Sequence, residues 1–167
     1  MSEEKIAGKK GEWLERYVFR LLQLAGFEVK FHKLISGKGG IKHEIDLFVE
    51  TDDGLKIAVE CKDRRSGEKI KKMEFDAFIA KVKEINVDYG LFVISQIDKG
   101  EYRKYRKYLD VHGIRFIDGT TLEKLWDKLL QLKDAEKFAS WLKSYLNLKK
   151  RKRSLLTRIL EKITFSR

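Results

Sequence analysis

Proline is absent from these 167 residues, and cysteine occurs once, at Cys61. One thiol excludes an internal disulfide and any zinc site built from several cysteines, and it makes a reducing, cytoplasmic location the default. The missing proline departs from the loop-proline trend that would otherwise accompany this Lys- and Glu-rich composition, poor in Gln and Asn. No run of about eighteen apolar residues occurs, so no transmembrane helix is expected. The opening MSEEKIAGKK is charged and lacks an apolar centre, unlike a secretory signal. His32, His43 and His112 show no metal-ligand spacing and read as structural or exposed. Gly37-Lys38-Gly39-Gly40 lacks the GxxxxGK[ST] spacing of a phosphate-cradling loop.

Basic residues are abundant. The formal net charge is +11, of which Lys149 to Arg167 carries +7 and the first 148 residues +4. Such an excess favours a polyanionic partner, nucleic acid or an anionic membrane surface. The length suits one domain with a sizeable core.

Periodicity supplies the elements. Trp13, Leu14, Tyr17, Val18, Leu21, Leu22 and Ala25 form one helical stripe, and Gly26 follows as a C-terminal glycine. Phe27 to Ile35 alternates as a strand, and Ser36 to Lys42 reads as a flexible loop. Two strands, Glu44 to Val49 and Leu55 to Lys62, flank the turn Thr51-Asp52-Asp53-Gly54. Lys69 to Ile85 is helical, with Ile70, Met73, Phe75, Ala77, Phe78 and Val82 expected inside. Tyr89 to Ser95 reads as a strand buried on both faces, Lys99 to His112 as a helix, and Ile114 to Ile117 as a last strand. Thr120 and Glu123 have the spacing of a capping box before a helix from Thr121 to Leu132, and another helix runs from Asp134 to Leu146. The order predicts a mixed α/β domain with a central sheet over residues 1–132, followed at 133–167 by a helical extension with a basic tail.

The chemistry concentrates between His43 and Lys62. Strand alternation places Glu60 and Lys62 on one face with Ala58, Cys61 on the other, and Asp46 on a face with Glu44 and Phe48. Facing residues on antiparallel strands lie roughly 4.5–5.5 Å apart, so Asp46 and Glu60 can reach one ion. Mg²⁺ prefers carboxylate, water and phosphate oxygens, and acidifies a bound water. Lys62 would position or deprotonate that water, or stabilise developing charge. The competing interpretation is a solvated acid–lysine pair, but the apolar surroundings of Glu60 (IAVEC) call for another reason. Cys61 reads as a buried small residue.

These residues resemble the PD-(D/E)xK nuclease superfamily, the restriction-endonuclease-like fold, and within it the Mrr-type catalytic domain. The resemblance rests on Gly11-Glu12-Trp13-Leu14-Glu15, on His43-Glu44-Ile45-Asp46, on Val59-Glu60-Cys61-Lys62, and on the closing IRFIDGTTLEKLWDKLL. It spans residues 8 to 132 and implies a mixed central sheet flanked by helices, with the C-terminal helices as an addition. It also implies Mg²⁺, with Mn²⁺ as a substitute, held by Asp46, Glu60 and the backbone carbonyl of Cys61. Glu15 would act through water or at a second ion, and Lys62 would be the catalytic lysine. The implied activity is endonucleolytic hydrolysis of DNA leaving a 5′-phosphate. Two departures stand out: Ile45 replaces the motif proline, and the helix after Lys62 has no glutamine.

Around this site Lys38, Arg64, Arg65 and Lys69 are candidate phosphate contacts, and Lys149, Lys150, Arg151, Lys152 and Arg153 a non-specific one. The loop cations equally suit an ordinary charged loop. The tyrosines and cations of the Lys99 helix suit phosphate binding or a solvated face. An apolar stripe, Leu155, Leu156, Ile159, Leu160 and Ile163, could pack on the domain, mediate a homodimer, rest on an anionic membrane surface or hold DNA. Three other functions remain open: a Holliday-junction resolvase of the same fold, a binding module without turnover, and a membrane-surface or assembly protein.

Overall fold

The computed structural model describes residues 11–150 and Ile163. Its elements are α1 (Glu12–Leu24), β1 (Glu28–Ser36), β2 (Lys42–Glu50), β3 (Lys56–Lys62), α2 (Lys72–Glu84), β4 (Tyr89–Ile94), α3 (Lys99–Asp110), β5 (Ile114–Asp118), α4 (Gly119–Leu132) and α5 (Ala135–Tyr145). The five strands lie side by side in chain order. β1, β2 and β3 pair antiparallel, and β3, β4 and β5 pair parallel. The parallel pairs need crossovers, and α2 and α3 supply them.

Each sheet face has its own core, as a layered α/β domain requires. On one face Leu14, Val18 and Leu21 of α1, Leu122 and Leu125 of α4 and Phe138 and Leu142 of α5 pack on Leu47, Val49, Val59, Cys61, Leu91 and Val93. On the other, Phe75, Phe78 and Ile79 of α2 and Tyr105 and Leu109 of α3 pack on Ala58, Phe92, Ile94, Ile114 and Phe116. β4 is buried along its whole length, as its apolar run predicts. Gly90 on that strand is obligatory: a Cβ there would lie 2.9 Å from Ile114 and 3.0 Å from Val82.

Several local expectations need correction. Met73 is 68% exposed, because α2 turns Phe75 and Phe78 inward instead. The cap of α4 is Asp118, whose carboxylate accepts the N–H of Thr121, and not Thr120, which lies inside the helix. Loop 37–41 is pinned: Gly37 N–H donates to Ile41 O at 2.8 Å and Lys38 N–H to Glu84 O at 2.8 Å. The strict alternation expected of β2 also fails. Leu47 packs in the α1 core, yet Ile45, two residues before it, packs in the α2 core. The strand turns over at Asp46. Opposite it in β1, the pairing skips from Phe31↔Leu47 to Lys33↔Ile45, and His32 has a left-handed φ of 44°.

Candidate active site

The reversal at Asp46 decides the geometry. Pairing between β2 and β3 stops at Leu47↔Val59. Beyond it, the backbone N–H of Cys61 donates to Asp46 Oδ2 at 2.9 Å, so a carboxylate caps the opened ladder. Glu60 follows the alternation of β3 onto the α2 face and is only 8% exposed. Both of its oxygens carry ammonium groups, Lys62 Nζ at 2.8 Å on Oε1 and Lys81 Nζ at 3.3 Å on Oε2. Lys81 also donates to the carbonyl of Glu44 at 3.0 Å.

Glu15 reaches the same place from α1. Its Oε2 is 3.2 Å from His32 Nε2 but off the line of a hydrogen bond, which leaves a buried carboxylate oxygen without a directed donor. The other His32 nitrogen lies 3.1 Å from Glu44 Oε1. Mutual repulsion shows in the acidities. Burial, then the charge of Glu60, pushes the Asp46 carboxyl up, against the Cys61 N–H and the two lysines. Burial, then the charge of Asp46, pushes Glu15 up, with His32 opposing. For Lys62, burial pulls the ammonium down, but the hydrogen bond and charge of Glu60 outweigh it, and the net shift is upward. Burial also pushes the Cys61 thiol well up, as befits an inert core side chain.

A second layer fixes the end of β3. Asp63 accepts from Trp13 Nε1 at 2.8 Å and from Ser95 Oγ at 2.8 Å, and the N–H of Arg64 donates to Ser95 Oγ at 2.7 Å. The guanidinium of Arg64 is held by Glu74, so this expected phosphate contact is committed inside the protein. Arg65 and Lys69 are exposed in the following loop, beside a cavity of about 560 Å³ that Gln96 and Asp98 also line. Lys38 is exposed on the β1–β2 loop.

The basic tail starts elsewhere. Lys149 N–H donates to the Tyr89 hydroxyl, and Lys150 Nζ to Asp53 O at 3.1 Å, at the turn end of the β2–β3 hairpin. Asp46 lies four strand positions from the end of β2 at Glu50, roughly 13 Å, with the turn carrying Asp53 beyond that. Arg151, Lys152 and Arg153 lie outside the described residues, as do Leu155, Leu156, Ile159 and Leu160; Ile163 is helical and exposed.

Sequence reasoning missed Lys81 and His32. Lys81 follows buried Phe78 by three positions on α2, a spacing that signals a helix face turned to the sheet. His32 carried no such signal, since its role depends on the β2 reversal. Among the described residues, no three His, Cys, Asp or Glu side chains converge as a ready-made metal cage. The donor set nonetheless suits Mg²⁺, which takes one or two carboxylates and completes its shell with water and phosphate. An undirected buried oxygen on Glu15, and two carboxyls pushed up by burial and then by neighbouring charge, are what a cation would relieve.

A five-stranded mixed sheet with acids and a lysine at the opened β2–β3 edge has the architecture of the restriction-endonuclease-like fold. The chain belongs to the Mrr_cat restriction endonuclease family, whose profile matches residues 7–126. No curated protein matches it. Among solved structures it is similar to the protein of unknown function AF1548, with a TM-score of 0.54 at 16% identity, over 82% of this chain and 98% of that one. It is also similar to SPO1766, a protein of unknown function from Silicibacter pomeroyi, with a TM-score of 0.43 at 21% identity, over 57% and 59%. A third is the MspJI restriction endonuclease in complex with a 27-mer oligonucleotide, with a TM-score of 0.45 at 11% identity, over 86% of this chain and 32% of that one. Among the described residues no helix is long and apolar enough to cross a membrane.

Proposed function

We propose that this nuclease-family chain is a Mg²⁺-dependent DNA endonuclease of the cytoplasm, with Mn²⁺ as a working substitute. The observation that carries the reading is the open end of the β2–β3 ladder, where Asp46 takes the Cys61 N–H, buried Glu60 is paired with Lys62, and a buried Glu15 oxygen lacks a directed donor. Asp46, Glu60 and the Cys61 carbonyl would hold the ion, with Glu15 acting through water. Bound there, the cation would acidify the attacking water and neutralise charge on the phosphate.

The protein side of the reaction falls to Lys62. Paired with Glu60 at 2.8 Å, its ammonium acts as a donor that orients water and stabilises the phosphate's developing charge. Asp63, through Trp13 and Ser95, fixes the backbone on which Lys62 stands. Arg65, Lys69 and Lys38, exposed on loops, would meet phosphates, whereas Lys149 and Lys150 would meet DNA only as a remote anchor.

The test incubates the protein with linear, supercoiled, methylated and four-way-junction DNA in Mg²⁺ or Mn²⁺, beside Asp46→Ala and Lys62→Ala. Metal-dependent cleavage lost in both variants is expected. Cleavage that survives both would sink the site, and salt-sensitive binding without cleavage of any substrate would make the chain a binding module. Cleavage restricted to junctions would make it a resolvase.

A further inference from the structure

Glu60 is an unusual carboxylate. It is buried, and lysines from two different elements cover both of its oxygens. Lys62 belongs to the same strand and to the family motif. Lys81 comes from α2, across the other core, and its ammonium also donates to the Glu44 carbonyl on β2. The charges make the consequence concrete. Glu15, Asp46 and Glu60 bring three negative charges when ionised, and Lys62 and Lys81 return two. Without Lys81 the remaining imbalance equals the charge of one divalent cation. A dication on Glu60 would have to share or take an oxygen that a lysine holds, and the longer contact, Lys81 at 3.3 Å against Lys62 at 2.8 Å, is the one to give way.

We propose that Lys81 is a built-in counter-ion that competes with the metal for Glu60 Oε2, and so sets the site's metal affinity. It is a positioning residue: it keeps the Glu60 carboxylate turned toward the β2 edge while the ion is absent. Its displaced ammonium stays tethered beside the site, a cation for an incoming phosphate. The inference rests on the metal-dependent reading above and adds a residue that the family motif does not contain.

The experiment is calorimetric titration with Ca²⁺ and Mn²⁺, without DNA, of wild type, Lys81→Met and Lys81→Arg. Lys81→Met removes the competitor but keeps the apolar stem, so it should bind about tenfold more tightly, ~1.4 kcal/mol. Lys81→Arg should stay near wild type. Equal or weaker binding by Lys81→Met would overturn the proposal. A second measurement needs no variant: the side-chain ammonium resonance of Lys81, protected in the apo protein by Glu60 and Glu44, should lose that protection on adding Ca²⁺. A resonance unchanged at metal saturation would refute the displacement. If wild type binds no divalent cation, the metal-dependent reading falls and this one with it. If wild type binds but neither measurement responds, only the role of Lys81 fails.

Discussion

Replacing Asp46 by asparagine should remove catalysis while leaving the fold at least as stable, and the sign follows from the site's electrostatics. Burial and the charge of Glu60 raise the Asp46 carboxyl, and burial and Asp46 raise Glu15. The native state therefore keeps these protons to higher pH than the unfolded chain. The contribution of these two carboxyls to stability falls as pH climbs from the unfolded value near 4 through the folded values, and the penalty persists at neutral pH. The Asp46→Asn side chain retains an oxygen for the Cys61 N–H, which in the wild type donates to the carboxylate at 2.9 Å. The variant gives up only the difference between a charge-assisted and a neutral hydrogen bond, about 1 kcal/mol. The upward shift of the Asp46 pKa says that burial and repulsion outweigh this loss. A divalent ion should relieve the same penalty. At a hundred times its dissociation constant it adds about 2.7 kcal/mol, a melting shift of roughly 5–10 °C for a chain of this size. The assay is thermal unfolding of both proteins from pH 4 to 8, with and without Mn²⁺. The stability of wild type relative to Asp46→Asn should fall from pH 4 upward and recover with metal, and Asp46→Asn should show a blunted metal response. A variant melting several degrees below wild type at pH 7, or gaining as much from metal, would refute the reasoning.

Three further outcomes are expected. Gly119→Ala would set a Cβ 2.2 Å from the Ser95 carbonyl, backbone against backbone, costing about 3 kcal/mol; a circular-dichroism melt unchanged from wild type would contradict it. Asp118→Ala should cost about 1 kcal/mol in urea unfolding as a lost helix cap, while Thr120→Ala stays within about 0.5 kcal/mol; the reverse ranking would restore the capping box read from sequence. In DNA-binding titrations, Lys69→Ala should lower the slope of log affinity against log salt by about 1. Arg64→Ala should leave that slope alone and lower the melting temperature, because its partner is Glu74.

The elements along the chain and the mixed sheet flanked by helices were legible because each has a local signature: a period, a turn, a short motif. Glu15 was named for its place one turn after Gly11, and the charge of Asp46 bears on its carboxyl. What escaped depends on non-local facts. Alternation put Asp46 on the face of Phe48, but the left-handed His32 in the neighbouring strand lets β2 turn over there. Arg64 looked available because Glu74, ten residues on, comes near only once α2 folds back. Lys81 looked like one more helix lysine until its partner Glu60 could be seen buried. The Thr120 cap failed for a smaller reason: Asp118 accepts the Thr121 N–H and starts α4 at Gly119, so Thr120 lies inside the helix and not before it.

The reversal of β2 also has a mechanical side. Ile45 and Leu47, the neighbours of Asp46, are clamped in opposite cores, while Glu15 moves with α1 and Lys81 with α2. The carboxylates thus straddle a seam between two packed slabs. Sliding the α1 layer over the sheet would change the spacing of Glu15 and Glu60, and sliding the α2 layer that of Lys81 and Glu60. Trimming Phe78 or Leu21, neither of which would touch a nucleic acid, should therefore detune the site from opposite sides.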